Sequence, residues 1–321
     1  MSLNSSKMIF LKMMIISTIM MMSSLNLMFS WISMEVNLIS FIPIMTKSKK
    51  MKDQSMKYFI IQSMSSSMML MAMLTNSKIE SPINLSMLVM ASMLMKMGFM
   101  PFHLWMPMIM QSMSWKKCMI LTTWQKVSPT IMMCQIMTIK EIMIPLMISM
   151  IFSPISMLKT MSMKKIMAFS SISNSPWMVM SMLISKFYFI LFFTIYSTIN
   201  IITMNNFKKM NINFTNQMNE KKKNSKINMI VNFLSMSGFP PTIGFFLKWM
   251  ILQKMMELSK SLSMIMVLSS LISSFIYLKM MISIFMTMNL KKKNFKSKNF
   301  TSLDTMINML MILTFMFLKP N

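Results

Sequence analysis

Three lysines of this chain lie inside long apolar runs, where a charged side chain has little water to solvate it. They are Lys96, Lys126 and Lys248. A lysine at the centre of a membrane helix costs about 2.5 to 3.5 kcal/mol, so each amine needs a partner or a role that offsets this cost. Because burial disfavours the charged form of an amine, such a lysine can take up and release a proton near neutral pH. These residues therefore indicate proton-transfer chemistry.

Each of these lysines stands beside residues that break a helix. The breaking residues are Gly98 and Pro101 after Lys96, Ser128 and Pro129 after Lys126, and Gly238, Pro240, Pro241 and Gly244 before Lys248. Backbone groups freed by a break are tolerated at membrane depth only where protein or water satisfies them. An ionisable residue beside a broken helix is typical of a water-lined path in a transporter. Because the chain has only 3 glycines, each is expected to fill a backbone role that no larger residue can fill.

One carboxylate is available as a partner for the buried amines. Glu35 lies at the start of an apolar segment, whereas the other acidic residues fall in or near polar loops. A carboxylate within a few ångströms holds a lysine protonated, and one that recedes lets the lysine release its proton. The alternative is that Glu35 is a charge favoured at the start of a helix by the helix dipole.

The elements that must position these side chains are membrane helices. The chain is 55% hydrophobic with a mean hydropathy of +0.57. Its apolar segments approach the length of about 20 residues that a helix needs to cross a bilayer, and they lack the alternation of a membrane β-barrel. Eleven such segments are centred near residues 20, 39, 65, 92, 127, 150, 174, 197, 242, 273 and 311. The sequence therefore predicts an all-α, polytopic membrane protein with about eleven transmembrane helices and one domain, residues 1–321.

The lysines predict the orientation of these helices. One set of alternate loops collects the basic runs, which include Lys116, Lys117 and the run from 208 to 226 and are interpreted as solvated. The other set collects Lys78, Lys140, Lys186, Lys260 and Lys319. The positive-inside rule places the basic set, with the N-terminus, on the side of synthesis. The many methionines indicate a mitochondrial gene, so the N-terminus is predicted in the matrix and the C-terminus in the intermembrane space. The net charge of +26 is then a topology signal and not a nucleic-acid surface, because the basic loops lack interleaved aromatic residues.

Five stretches resemble the NADH dehydrogenase subunit 2 family, the short antiporter-like membrane subunits of mitochondrial respiratory complex I. They are MEVNLISFIP (34–43), KMGFMPFHLWMP (96–107), LTTWQKVSP (121–129), KKIMAFSSISNSPWM (164–178) and SGFPPTIGFFLKW (237–249). The resemblance implies a single antiporter-like domain of eleven helices, two of them discontinuous, related by inverted repeats. It also implies a location in the mitochondrial inner membrane, among other complex I membrane subunits, including neighbouring antiporter-like subunits, and lipids.

The resemblance also implies which residues act. Glu35, Lys96, Lys126 and Lys248 match the family's intramembrane Glu and three Lys, so we expect a proton relay in which Glu35 pairs with Lys96. The chain itself is expected to bind no cofactor and no metal, since NADH, FMN, iron-sulfur clusters and ubiquinone belong to other subunits of the complex. It is an enzyme only as a subunit of the proton-translocating NADH:ubiquinone reductase, and it is not expected to form a homo-oligomer.

Two further residues are weaker candidates, and one departs from the family. His103 is the single histidine and is either a relay group or a packing residue, and Lys279 stands where the family has an arginine. Asn174 stands where the family has a histidine, which removes a group that titrates near neutral pH. Cys118 and Cys134 match no metal or redox spacing.

Other functions remain as alternatives. A stand-alone secondary cation/proton antiporter would also need broken helices with buried lysines. A structural spacer would tolerate methionine at Lys126 and Lys248. Cytochrome b and the haem-copper oxidase subunit are excluded, because both need several intramembrane histidines as ligands and the chain has 1.

Overall fold

The protein is helical throughout the part that the computed structural model describes, residues 5–46, 49–76, 82–220, 223–240 and 242–289. The β structure of these ranges consists of one isolated antiparallel bridge, between Ser162 and Phe214. The helices are α1 (Ser5–Ser23), α2 (Leu27–Met45), α3 (Lys49–Asn76), α4 (Pro82–Met97), α5 (Trp105–Ser112), α6 (Trp115–Thr122), α7 (Val127–Ile136), α8 (Ile139–Leu158), α9 (Met163–Ile184), α10 (Lys186–Met210), α11 (Lys223–Ser237), α12 (Ile243–Leu258) and α13 (Lys260–Asn289). The all-α prediction is confirmed.

Six helices of the described ranges are long and apolar enough to cross a membrane, namely α1, α2, α3, α8, α10 and α13. A helix of about 20 residues is about 30 Å long, which matches the hydrocarbon core of a bilayer. The predicted segments near residues 92, 127 and 242 each contain shorter helices that end at a break. The predicted eleventh segment, near residue 311, lies outside the described residues.

The chain forms two compact units, residues 1–149 and 150–321, with the boundary inside α8. In the first unit α2 packs against α1, α3 and α7, and α4 packs against α3 and α7. In the second unit α12 packs against α9, α10, α11 and α13. The sequence-based prediction of one domain stays a prediction.

A glycine ends α4 immediately after Lys96. Gly98 has a φ of +70°, in the left-handed region that non-glycine residues adopt at a cost. The amide of Gly98 donates to Met95 O at 3.3 Å, and the amide of Phe99 donates to Leu94 O at 3.0 Å. These two bonds form the Schellman cap that satisfies the last carbonyls of a helix. The chain then makes a turn with a cis Met100–Pro101 bond before α5 begins.

The break between α11 and α12 depends on two glycines. Gly238 ends α11 with a φ of +76°, and its amide donates to Leu234 O at 3.1 Å. Gly244, in the first turn of α12, lies so close to α11 that a Cβ atom on it would be 1.9 Å from Ser235 O. The carbonyl belongs to the backbone and cannot rotate away. The α11–α12 contact therefore requires glycine at position 244.

We expect Gly244→Ala to reduce the amount of assembled protein, because the new methyl group must push two helices apart. Overpacking of this kind costs about 1 to 3 kcal/mol or more. Gly98→Ala is the matched control, since its Cβ would meet Trp105 at an ordinary 3.4 Å and the cost is the left-handed backbone, about 1 to 2 kcal/mol. The amount of assembled protein and the midpoint of thermal unfolding are compared among Gly244→Ala, Gly98→Ala and the unmodified protein. Equal midpoints for Gly244→Ala and the unmodified protein would contradict the close approach.

Two lysines assigned to basic loops are buried. Lys117 in α6 is 7% exposed and donates a hydrogen bond to Met45 O at the end of α2. Lys226 in α11 is 1% exposed. The interpretation of the loop lysines as solvated is therefore wrong for these two residues. Lys117 instead places a cation at the C-terminus of α2, where the helix dipole favours positive charge.

Candidate functional site

Lys126 is positioned by a break between α6 and α7. α6 ends at Thr122, a 3₁₀ turn runs from Trp124 to Lys126, and α7 begins at Val127. Pro129 explains the break, because a proline has no N–H to donate to the carbonyl four residues earlier and its ring crowds that carbonyl. Lys126 is only 3% exposed. The turn thus carries the amine into the protein interior.

Lys96 and Lys126 line one cavity in the first unit. Polar side chains from several elements share its wall, namely Asn37 of α2, Tyr58 and Gln62 of α3, Gln125 of the 3₁₀ turn and Ser128 of α7. The volume of the cavity that the centre of a water molecule can occupy is about 30 Å³. Since a buried water needs about 10 to 15 Å³ of such space and two or more polar partners, the cavity has room for about two waters. The structure brings together two of the three predicted lysines.

Glu35 lies near Lys96 without forming a contact ion pair. The Lys96 amine is 3.6 Å from the sulfur of Met34, the residue before Glu35. Glu35 and Lys96 form no ion pair, because no carboxylate oxygen of Glu35 lies within 4.0 Å of the Lys96 amine. Lys254 and Glu257 do form an ion pair, at 3.5 Å. The Glu35 carboxylate still acts electrostatically on Lys96. Glu35 Oε1 is buried and accepts no hydrogen bond from the described residues. The predicted pair is therefore neighbouring but open in this conformation.

The end of α4 holds Lys96 through its backbone as well. Gln62 Nε2 donates to Lys96 O at 3.4 Å, and Trp105 Nε1 donates to Met95 O at 3.1 Å. Carbonyls in the last turn of a helix have no partner within that helix, so these side chains complete the cap. The negative end of the α4 dipole also favours a cation at Lys96. The helix end therefore stabilises the amine that the apolar surroundings disfavour.

A hydrogen-bonded group that the sequence analysis missed holds the Lys126 turn against α2. Gln125 Nε2 donates to Asn37 Oδ1 at 3.1 Å, and Asn37 Nδ2 donates to Ser128 Oγ at 3.1 Å. Gln125 Nε2 also lies 3.2 Å from the sulfur of Met14 in α1. Asn37 is 4% exposed and Ser128 is 2% exposed. The sequence signal that could have indicated this group is Asn37, a polar residue two positions after Glu35 in an otherwise apolar run.

Lys248 lies in the second unit, at the break between α11 and α12. Its amine donates to Ser237 O, the last carbonyl of α11, at 3.1 Å. The same amine is 5.8 Å from the centroid of the Trp177 ring in α9. A helix C-terminus and an aromatic face both attract a cation. Lys248 thus lies in the second turn of α12 and places its amine at the C-terminal end of α11, on the other side of the break.

Two cavities flank Lys248 within the second unit. The smaller one is lined by Asn174 of α9, Tyr196 of α10 and Gly244. In the larger one, the centre of a water molecule can occupy a volume of about 290 Å³. This cavity is mostly apolar and is lined by residues of α12 and α13. Asn174 therefore shares a wall with Lys248. Its carboxamide can donate and accept hydrogen bonds there.

The weaker candidates lie apart from these cavities. His103 is in the turn between α4 and α5, with Nδ1 3.3 Å from Pro101 O, and it does not line the cavity of Lys96. Lys279 is exposed on α13 and does not line either cavity of Lys248. Within the described ranges, no group of three His, Cys, Asp or Glu residues is placed to hold a metal ion. The roles of His103 and Lys279 stay predictions.

These features define a class, a multi-pass helical membrane protein with lysines beside helix breaks, of which Lys126 is buried and Lys96 and Lys248 are half-buried. Residues 24–273 match the model of the family described as NADH:quinone oxidoreductase/Mrp antiporter, TM. The chain belongs to this family, which confirms the resemblance found in the sequence.

Curated relatives carry the name NADH-ubiquinone oxidoreductase chain 2. The chain is 36% identical to the protein of Locusta migratoria over 296 residues, which is 87% of this chain and 85% of the relative. It is 32% identical to that of Anopheles gambiae, over 91% of this chain and 89% of the relative. The protein of Sus scrofa is 30% identical, over 88% of this chain and 86% of the relative.

Solved structures share the fold at low sequence identity. A chain of respiratory complex I from Thermus thermophilus matches with a TM-score of 0.82 and 15% identity, covering 98% of this chain and 79% of that chain. A chain of the Mrp complex from Dietzia sp. matches with a TM-score of 0.73 and 12% identity, covering 86% of this chain and 60% of that chain. Both matches support an antiporter-like membrane fold.

Proposed function

We propose that this chain is a proton-translocating membrane subunit of mitochondrial NADH:ubiquinone oxidoreductase, respiratory complex I. Electron transfer from NADH to ubiquinone in other subunits drives proton movement through this chain. Its relay residues are Glu35, Lys96, Lys126 and Lys248. The observation that carries the proposal is the cavity that Lys96 and Lys126 share, because two amines that line one cavity with room for water can exchange a proton through that water. The named relatives add the identity of the complex.

The proposal includes an architecture finer than the described helices. It has eleven transmembrane helices, two of them discontinuous at the breaks after Lys96 and before Lys248, in antiporter-like inverted repeats. The chain lies in the mitochondrial inner membrane with its N-terminus in the matrix and its C-terminus in the intermembrane space. The basic runs in alternate loops support this orientation.

The proposed partners are the other membrane subunits of complex I, including neighbouring antiporter-like subunits, and membrane lipids. The chain does not form a homo-oligomer and does not bind nucleic acid. NADH, FMN, iron-sulfur clusters and ubiquinone bind in other subunits, so this chain has no redox site of its own. The match to a chain of respiratory complex I from Thermus thermophilus supports this assignment.

A labelling experiment tests the orientation. In Asn216→Cys, the new thiol lies on an exposed position of the basic 208–226 loop, and we expect an impermeant thiol reagent to label it from the matrix side. Lys260→Cys is the matched control, exposed at the start of α13, and should be labelled from the opposite side. The unmodified chain gives the background of Cys118 and Cys134. Labelling of both new thiols from one side, or of each from the wrong side, would reject the proposed topology.

The alternative function is a stand-alone secondary cation/proton antiporter, since the description of the family that the chain belongs to also names Mrp antiporters. The two functions differ in their energy source. The purified chain in vesicles should exchange cations for protons if it acts alone, and it should be inactive if electron transfer in the complex drives it. We expect the isolated chain to be inactive and proton pumping to return only in the assembled complex with NADH and ubiquinone.

A further inference from the structure

We propose that Asn37 is a positioning residue that clamps the Lys126 turn in the cavity shared with Lys96, an inference that rests on the proposed function. Its single carboxamide makes one hydrogen bond on each side of Lys126 in the sequence. Oδ1 accepts from Gln125 Nε2 at 3.1 Å, and Nδ2 donates to Ser128 Oγ at 3.1 Å. We call these three residues, Asn37, Gln125 and Ser128, the Asn37 clamp.

The clamp acts on a segment that local structure leaves weakly held. Lys126 lies where a 3₁₀ turn meets α7, and Pro129 removes one backbone hydrogen bond from this junction. Two side-chain bonds from α2 therefore replace part of what the helix lacks. Most other buried serines of the described helices donate to a carbonyl three residues earlier in their own helix, as Ser92 does to Val89 O at 2.7 Å. Ser128 differs because it accepts a bond from another helix.

The three clamp residues cannot themselves be proton stations. Carboxamides and hydroxyls do not titrate near neutral pH, but they hold fixed geometry by donating and accepting hydrogen bonds. Asn37 also lies two residues after Glu35 on α2, so one helix carries both the carboxylate beside Lys96 and the clamp on Lys126. A displacement of α2 would therefore change the surroundings of both amines together. This coupling gives the clamp a positioning role in the relay.

The test compares clamp variants in assembled complex I, as proton pumping in sealed inner-membrane vesicles divided by the amount of complex. Asn37→Leu keeps the volume and removes both bonds, and Ser128→Ala is the milder variant that removes one. We expect Ser128→Ala to lower pumping about three- to tenfold, the effect of losing one hydrogen bond of ordinary strength, and Asn37→Leu to lower it further. Ser128→Thr keeps the hydroxyl and should restore most of the rate. Ser92→Ala, an equally buried serine with a local bond, is the matched control and should pump normally.

A double change separates positioning from general stability. If Asn37 acts through Lys126, then Asn37→Leu adds no further loss of pumping in a Lys126→Met background, because coupled residues are not additive. A further loss there, or normal pumping in both Asn37→Leu and Ser128→Ala, would overturn the clamp. If Asn37→Leu fails to assemble, the comparison of proton pumping in Ser128→Ala and Ser128→Thr tests the clamp instead. Normal pumping in Lys126→Met alone would instead reject the proposed function, so the two failures are distinguishable.

Discussion

Lys126→Met abolishes most of the NADH oxidation that is coupled to proton pumping, while the complex still assembles. Methionine keeps the length and apolarity of the side chain in a site that is 3% exposed, so the cavity stays filled. It removes the amine, which is the only titratable group of the 3₁₀ turn. A positioned proton-transfer group contributes about 10² to 10⁴ in rate, so we expect coupled oxidation to fall by about tenfold or more.

The matched control for this variant is Lys12→Met, the same change at an exposed position of α1. Blue-native gels measure the amount of assembled complex, and NADH oxidation in coupled vesicles measures turnover per complex. We expect normal amounts in both variants and a normal rate in Lys12→Met. A normal coupled rate in Lys126→Met would show that the chain tolerates methionine there, as a structural spacer would.

Glu35→Gln impairs proton pumping about as much as Lys96→Met does, although glutamine is nearly the same shape as glutamate. The carboxylate acts electrostatically on Lys96, and its Oε1 is buried with no hydrogen-bond donor among the described residues. A nearby carboxylate favours the charged form of an amine, and Glu35→Gln removes that influence from Lys96. We expect the double variant Glu35→Gln with Lys96→Met to pump little worse than either single variant, because the two groups act together.

Glu257→Gln is the control for the loss of a carboxylate. Glu257 forms an ion pair with Lys254 at 3.5 Å, and this pair is exposed, so its loss costs about 1 kcal/mol or less. Its pumping should match that of the unmodified complex. Glu35 lies in the middle of α2, so the alternative that it is a charge at the start of a helix is wrong. If Glu35 has no part in the relay, Glu35→Gln will be nearly silent and its effect will add to that of Lys96→Met, an outcome that discards the pair.

The glycines show what one sequence can predict. In a chain with only 3 glycines, each was expected to fill a special backbone role. Gly98 and Gly238 have positive φ at helix ends, and Gly244 leaves no space for a Cβ atom. Backbone conformation and close approach restrict residue type at one position, so the signal is local. Proline and glycine break a helix within a few residues of their own position, so the sequence also shows which lysines lie beside a break.

Contacts between distant parts of the chain could not be predicted in the same way. Asn37 is 88 residues from Gln125 and 91 residues from Ser128, and nothing in an apolar helix says which neighbour it faces. Lys117 looked like a loop lysine because it follows another lysine, yet it is buried against the end of α2. Glu35 and Lys96 form no ion pair within 4.0 Å, although the sequence predicted them as partners. Hydropathy does not encode such a distance.

The proton-to-electron ratio of Lys126→Met complex in sealed inner-membrane vesicles tests the central claim most directly. Protons delivered to the vesicle interior are counted against NADH oxidised, with the unmodified complex and Lys12→Met measured side by side. A relay through Lys126 predicts that the residual turnover of Lys126→Met delivers fewer protons per electron, while Lys12→Met keeps the full ratio. An unchanged ratio in Lys126→Met at an unchanged rate of NADH oxidation would contradict proton transfer through this chain.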